Sequence, residues 1–346
     1  MSLIAYSDLP TFARLKQEGE FVLSKKEANK QTIRELHIGL LNLMPDAALE
    51  ATERQFFRLV NQSNKIAQFF IHPFSLKNIK REEKTIEHIK NYYQDFEEIK
   101  GQGLDALIIT GANVSQPDLE KEPFYQELGE VIEWAYQNVA STLCSCLATH
   151  AVLQFKYQQK RQLMNEKCWG VFPHKVIKKH PLVNGINTVF NLPHSRFNEI
   201  TKQQFQQAKL SVLVDSDEGI HLAVSEDLIR LVFLQGHPEY DTISLLKEYK
   251  REVDLFLRKK NPVKPVFPKN YLNTQAKAIL DEFIETATTI ENFPEDIIAK
   301  QLDNSWHDSA LAIMNNWVGC VYQITHYDRK KHFMDGVDKN DPLKLK

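Results

Sequence analysis

The sequence predicts an α/β fold built on a mostly parallel sheet. Short runs rich in aliphatic and β-branched residues alternate with stretches of helical periodicity, which is typical of that class. One run ends in a cysteine just before a helical stretch, and a later one ends in Gly-His, which suits the carboxyl edge of such a sheet. The 346 residues are enough for about two average domains or one large one.

The first half of the chain contains most of the predicted parallel strands. The charge-rich segment Lys77–Lys100 between them indicates a solvated helical region. The predicted strands are Leu36–Leu43, Ile66–Ile71, Leu104–Ile109 and Ala140–Ser145, and the predicted helices are Thr52–Asn61 and Tyr125–Gln137.

The second half begins with short strands and ends in helices. Leu210–Val214, Ile220–Val224 and Leu231–Leu234 form a compact set that indicates antiparallel pairing. The Lys/Asn/Pro-rich stretch Arg258–Asn270 is typical of a linker, and helical patterns follow over Gln275–Asp303 and Trp306–Tyr322. We therefore expect an N-terminal arm (1–34), a catalytic domain (35–258), and a linker with a helical segment (259–346) that packs on that domain.

Composition excludes several functional classes. The 43 basic and 45 acidic side chains give a net charge of −2. The chain therefore has no excess of positive charge that would indicate binding to nucleic acid or an anionic membrane. No run approaches 18 apolar residues, and the N-terminus lacks signal-peptide features, so we expect a soluble cytoplasmic protein. Cys144 and Cys146 lack zinc-site spacing, so no metal is predicted, and the four cysteines are expected to be free thiols.

Cys146 lies where a strand turns sharply into a helix. A thiol at a helix N-terminus gains thiolate character from the partial positive charge there. The backbone N–H of Leu147 can donate a hydrogen bond to a developing oxyanion. On this pattern alone, a buried structural cysteine is an equal alternative.

A second strand end supplies a histidine and an acid. His237 follows Gly236, and Glu239 stands two residues further on, about ninety residues downstream of Cys146. Thiol catalysis needs a base with a pKa near 7 and a carboxylate that orients it, so this pair is suitable. A hydrogen-bonded structural histidine is the alternative when His237 is considered alone.

Six blocks along the chain resemble the homoserine O-succinyltransferase/O-acetyltransferase family of methionine biosynthesis. Gly236–Asp241 and Pro193–Arg196 are the specific ones, and the other four are supportive. Those four are Leu41–Pro45, Thr110–Ala112, Ser141–Leu143 and Val321–Thr325. The resemblance runs in order from about residue 10 to about 328.

The resemblance implies a flavodoxin-like, class I glutamine-amidotransferase-like domain in a homodimer. It also implies ping-pong transfer of an acyl group from acyl-CoA, a co-substrate rather than a cofactor, to the hydroxyl of homoserine. By position, Cys146 corresponds to the acylated cysteine, His237 to the base and Glu239 to its acid. The substrate-contacting positions correspond to Lys167, Ser195 and Arg251, whose charges suit an amino-acid substrate.

The chain departs from the family pattern close to the site. Asp46–Ala48 replaces a lysine-containing turn, and Leu147 and His150 replace an aromatic residue and a glutamine. Ser115 stands where glycine accompanies succinyl and glutamate accompanies acetyl transfer. Because serine is small and neutral and does not repel a carboxylate, we favour succinyl over acetyl.

The sequence leaves three hypotheses about function open. The first is homoserine acylation, and the second is the same transfer to another acceptor such as serine. The third is a cysteine hydrolase, an amidotransferase or a non-catalytic relative of similar fold.

Overall fold

The structure is a computed structural model that describes residues 3–30 and 32–346. These residues form one eleven-stranded sheet flanked by helices, which confirms the predicted α/β class. The strands are β1 (Leu3–Ala5), β2 (Val22–Ser24), β3 (Glu35–Leu41), β4 (Gln68–Phe74), β5 (Ala106–Ile109), β6 (Ser141–Ser145), β7 (Gln162–Val176), β8 (Val189–Glu199), β9 (Ser211–Asp215), β10 (Leu222–Val224) and β11 (Leu231–Leu234).

Twelve α-helices are present in the same described residues. They are α1 (Pro10–Gln17), α2 (Lys25–Ala28), α3 (Asp46–Ser63), α4 (Glu83–Tyr92), α5 (Phe96–Gln102), α6 (Tyr125–Asn138), α7 (Leu147–Tyr157), α8 (Lys202–Gln207), α9 (Ser244–Leu257), α10 (Thr274–Thr286), α11 (Glu295–Ala299) and α12 (His307–Ile324). None of the helices in the described ranges is long and apolar enough to cross a membrane.

The sheet has a parallel part and an antiparallel part. Its strand order is β2-β1-β4-β3-β5-β6-β11-β10-β9-β7-β8. All pairs from β2 to β11 are parallel, and all pairs from β11 to β8 are antiparallel. The predicted antiparallel set is confirmed for β9, β10 and β11, but β11 also pairs in parallel with β6. This last pairing places the ends of β6 and β11 side by side.

Alternate residues of the central strands enter two apolar clusters. Ile108 of β5 packs in a cluster with residues of α1, α3 and α12, while its neighbour Ile109 packs in one with residues of α6 and α7. Strand side chains alternate between the two faces, so the two clusters cover opposite faces of the sheet. A strand buried on both faces has the nearly continuous apolar sequence seen in Ala106–Ile109.

Several elements differ from the sequence prediction. Strand β4 is shifted toward the C-terminus relative to the predicted Ile66–Ile71, and the long β7–β8 hairpin was not predicted. The helical stretch predicted over Gln275–Asp303 is divided into α10, which ends at Thr286, and α11, which begins directly after its N-cap residue Pro294.

The two ends of the chain pack against the central sheet. Residues 3–24, expected as part of an arm, supply β1 and β2 at one edge. Trp317 of α12 is fully buried, and its Nε1 donates to Ser141 Oγ of β6 at 2.9 Å. The division of the chain into three segments stays a prediction.

Candidate active site

Cys146 forms a sharp turn between β6 and α7. Its φ of 51° and ψ of −112° are unusual for a residue with a side chain. The Cys146 N–H donates to Leu234 O at 2.8 Å, and Thr149 Oγ1 donates to the same carbonyl at 2.9 Å. The turn is therefore fixed to β11, and Cys146 is partly exposed whereas the other three cysteines are buried.

The backbone beside Cys146 offers hydrogen-bond donors. Leu147 is the first residue of α7, and its N–H has no acceptor in the described part of the chain. Gly111 lies opposite: a Cβ there would sit 3.6 Å from Cys146 Cβ and 4.0 Å from Leu147 N. The missing side chain keeps the space over the thiol open, as an oxyanion site next to Leu147 requires.

His237 and Glu239 lie just beyond the end of β11. His237 Nδ1 is 2.8 Å from Glu239 Oε1, and both side chains are buried. The Tyr240 ring stacks on His237 with a centroid separation of 4.2 Å, and the His237 N–H donates to Pro193 O at 2.9 Å. These contacts fix the ring and leave Nε2, which has no hydrogen-bond partner among the described residues, as the nitrogen free to exchange a proton.

The charge state of His237 depends on its neighbours. Burial lowers the pKa of this imidazole, but the Cys146 thiolate and the Glu239 carboxylate outweigh burial and raise it well above its ordinary value. A histidine held in its protonated form here can stabilise negative charge on the Cys146 sulfur, which is the form needed for attack on an acyl carbon.

A cavity of about 370 Å³ opens at this edge of the sheet. Four of the predicted site residues line it: Cys146, Ser195, His237 and Arg251. The rest of its wall consists of Met44, Pro45, Ala47, Ala48, Ala51, Thr52, Gln55, Gly111, Ala112, Asn113, Tyr240, Ser244, Lys247 and Glu248. Of the remaining predicted residues, Glu239 lies behind His237, and Lys167 lies behind Glu248.

Glu248 joins the predicted substrate-contacting residues, and the sequence did not reveal it. Its Oε2 accepts hydrogen bonds from Ser195 Oγ at 2.6 Å and Trp169 Nε1 at 2.8 Å, and Lys167 Nζ is 3.8 Å away. Its Oε1 accepts from Tyr240 OH at 2.7 Å. Burial lowers the pKa of Lys167 while Glu248 raises it, and the ammonium lies 3.9 Å from the Trp169 ring centroid. These contacts fix the Glu248 carboxylate on the cavity wall.

One face of α9 forms a polar stripe on the cavity. Its members, which we call the α9 stripe, are Ser244, Lys247, Glu248 and Arg251. Their spacing of i, i+3, i+4 and i+7 places them on one helical face. This spacing is the sequence signal that could have identified Lys247 and Glu248 once α9 was known to face the cysteine.

Two predicted or altered positions lie outside the cavity wall. The Ser115 N–H donates to the buried carboxylate of Glu122 at 2.6 Å, and its Oγ is 3.4 Å from the same oxygen. His150 is buried behind the turn with Nε2 3.2 Å from Gln235 Oε1, and burial lowers its pKa to about 3. His150 is therefore neutral but only weakly basic, which makes it unsuited to act as a second base.

A thiol at a strand–helix turn, facing a histidine–glutamate pair on the neighbouring strand, is the arrangement of enzymes that use a cysteine nucleophile. Comparison with known proteins narrows this class. A family model described as homoserine O-succinyltransferase matches residues 2–327. The chain belongs to the homoserine O-succinyltransferase family.

Full-length relatives have the same description. A homoserine O-succinyltransferase of Nitrosococcus oceani is 58% identical over 100% of this chain and 99% of its own length. One of Allochromatium vinosum is 57% identical with the same coverage of both chains. Among solved structures, a glutamine amidotransferase of Thermotoga maritima overlaps 83% of this chain and 97% of its own, with 11% identity and a TM-score of 0.47.

Proposed function

We propose that the chain transfers a succinyl group from succinyl-CoA, through a thioester on Cys146, to the hydroxyl of L-homoserine in methionine biosynthesis. Family membership supports the reaction type, and full-length relatives named homoserine O-succinyltransferase support the two substrates. The observation that carries the mechanism is the single cavity onto which Cys146, His237 and the α9 stripe all open.

In the first half-reaction, Cys146 Sγ attacks the carbonyl carbon of the acyl-CoA thioester. The Leu147 N–H stabilises the oxyanion that develops. The bond from carbon to the CoA sulfur then breaks, and His237 Nε2 gives its proton to the departing thiolate. The products are free CoA and an acylated Cys146.

In the second half-reaction, His237 acts as a base. It takes the proton of the acceptor hydroxyl while the hydroxyl oxygen attacks the acyl carbon on Cys146. The tetrahedral intermediate expels the Cys146 thiolate, and His237 is again imidazolium. Glu239 orients the imidazole and stabilises its positive charge without transferring a proton.

The α9 stripe suits the ends of an amino-acid acceptor. Arg251 can bind the α-carboxylate through two parallel hydrogen bonds, and the fixed Glu248 carboxylate can accept the α-ammonium. Ser195 and Lys167 hold Glu248 in place. These groups bind the α-carboxylate and the α-ammonium, which homoserine and serine share. Discrimination between the two acceptors therefore has to come from the distance between those groups and the hydroxyl.

The experiment is a screen of succinyl-CoA and acetyl-CoA against homoserine and serine that follows free CoA. With succinyl-CoA alone, mass spectrometry should find a single acyl group on the peptide that contains Cys146, and the Cys146→Ala variant should show none. Faster turnover with serine than with homoserine would show that serine is the preferred acceptor. Full activity of Cys146→Ala, or an acyl group on another cysteine, would refute it.

We also propose that the protein acts as a homodimer in the cytoplasm, as the family resemblance implies. Sedimentation should then give twice the chain mass of 40.2 kDa. A single-chain mass at micromolar concentration would contradict the dimer.

A further inference from the structure

We infer that Lys247 binds the free carboxylate of the succinyl group and so selects the acyl donor. The inference rests on the proposed function, because it concerns the acyl group that Cys146 receives. It adds a residue of the α9 stripe to Ser115 as a determinant of the choice of donor.

Two cations on the cavity wall lack anionic partners. Lys247 and Arg251 are exposed, and neither makes an ion pair or hydrogen bond through its side chain within residues 3–30 and 32–346. Two nearby cations are paired: Lys250 of α9 with Glu295 at 2.7 Å, and Arg258, just after α9, with Asp254 at 2.8 Å. Unpaired cations in a cavity with a nucleophile are suited to anionic substrates.

The proposed reaction brings two carboxylates to this cavity, one in each half-reaction. The succinyl group carries the first, and the amino-acid acceptor carries the second. The acceptor also carries an ammonium group, so its binding place needs an anion next to a cation.

Their surroundings assign the two cations to different carboxylates. Arg251 lies close enough to Lys167 to lower its pKa, and Lys167 is itself paired with Glu248. Arg251 thus belongs to the group of charges that suits a zwitterion. Lys247 lies one turn earlier on α9, toward Ser244, which is bonded to Gln55 of α3 at 2.9 Å.

The wall from α3 suits the methylene groups of a succinyl chain. Ala47, Ala48 and Ala51 line the same cavity as Lys247 and Cys146. Small apolar side chains leave room for two methylene groups and do not compete for the carboxylate. An acetyl group has no second carboxylate for the ammonium of Lys247 to bind.

Ser115 stays a predicted determinant of acyl specificity, and its surroundings differ from those of Lys247. Its N–H is bonded to Glu122, and it does not line the cavity, whereas Asn113 does.

The test compares acylation by succinyl-CoA and acetyl-CoA in single-turnover experiments with the full-length protein. Lys247→Met keeps the length and apolar stem of the side chain and removes the charge. We expect it to lower the ratio of succinyl to acetyl kcat/KM about tenfold, as for a charge-assisted hydrogen bond at a partly screened site. Lys247→Arg should keep the ratio within about threefold, because it retains the cation.

Two further variants complete the test. Lys260→Met removes an exposed lysine just after α9 and should leave the ratio unchanged. Arg251→Met should leave the ratio nearly unchanged and raise the KM for the acceptor. If wild type forms the succinyl-enzyme and Lys247→Met keeps the wild-type ratio, the inference is wrong. If wild type forms no acyl-enzyme, the proposed function fails first and the inference fails with it.

Discussion

Cys146 has a backbone conformation that most side chains avoid. A positive φ at a residue with a Cβ costs on the order of 1–3 kcal/mol, and such residues persist only when their surroundings hold them. Here the bond to Leu234 O and the start of α7 supply that restraint. These restraints hold the thiol toward the cavity that His237 also lines.

Glu239 controls how far into the alkaline range His237 stays protonated. The raised pKa of His237 means that the imidazolium is present below that pKa and is lost as the pH rises through it. Glu239→Gln keeps a hydrogen-bond acceptor but removes the charge, so the alkaline limb of acylation should move about one pH unit downward. The measurement is the rate of CoA release against pH in both proteins.

Alanine variants provide the comparison. His237→Ala should remove most of the activity, and Glu239→Ala should leave a measurable fraction, because the acid positions and stabilises without transferring a proton. Identical pH profiles for wild type and Glu239→Gln would show that the carboxylate is only structural.

The candidate catalytic residues could be predicted from the sequence because each lies in a short local pattern. Cys146 is at a strand–helix turn, and His237 and Glu239 follow the neighbouring strand. Glu248 and Lys247 could not be predicted, because their position depends on how α9 packs over the end of the sheet. Such a contact is long-range, so the spacing of the α9 stripe becomes informative only once the packing of α9 is known.

At the scale of elements, α12 supports the strand that leads to the nucleophile. Trp317 of α12 is fully buried, and its Nε1 donates a hydrogen bond to Ser141 Oγ of β6. Ser141 Oγ in turn donates to Ile229 O at 2.6 Å, just before β11. The last long helix therefore connects β6 with the approach to β11.

Trp317→Phe tests this support. The change removes one buried hydrogen bond and part of the ring volume, so we expect a loss of about 1–3 kcal/mol in the free energy of unfolding. Chemical denaturation measures it. Gln323→Ala, an exposed change on the same helix, is the control and should stay within about 0.5 kcal/mol. Equal stability of the two variants would contradict the role of Trp317.

The elements that the sequence revealed are those with uniform burial. Strands β5 and β6 are buried at every position; β5 is wholly aliphatic, and β6 consists of small side chains around one leucine. The β7–β8 hairpin alternates irregularly between exposed and buried residues and contains a register shift, so neither strand has a clean period of two. The same mixed burial hides β1 and β2, which are three residues long.

At the scale of the whole molecule, buried histidines determine how the fold responds to acid. Seven side chains have a pKa lowered mainly by burial: His37, His72, His150, His174, His180, His194 and His221. Three of them pack together, with His174 Nε2 and His194 Nε2 3.0 Å apart and His221 edge-on to both rings. All seven are neutral in the folded protein at neutral pH.

These histidines predict acid lability. The unfolded chain binds protons below a pKa of about 6.5 while the folded chain does not, so each histidine can remove up to about 1.4 kcal/mol of stability per pH unit as the pH falls. The stability they support is present above about pH 6.5 and is lost progressively toward their lowered values. The midpoint temperature of thermal unfolding should therefore decrease as the pH is lowered from 7 to 5.

His150→Gln isolates one of these contributions. The variant keeps a neutral polar side chain near Gln235 and lacks the titrating group, so its unfolding free energy should depend less steeply on pH than that of wild type. A wild-type midpoint that does not change over this range would show that the histidines already take up protons in the fold.

The pairing of β6 with β11 also has a consequence during synthesis on the ribosome. Strand β6 is complete at Ser145, but its neighbour β11 begins at Leu231, so a nascent chain carries β6 as an open strand edge for more than eighty residues. A chain released in that interval lacks His237 and therefore lacks the base that Cys146 needs. Its apolar open edge can instead pair with other chains, so prematurely terminated products should aggregate rather than consume acyl-CoA.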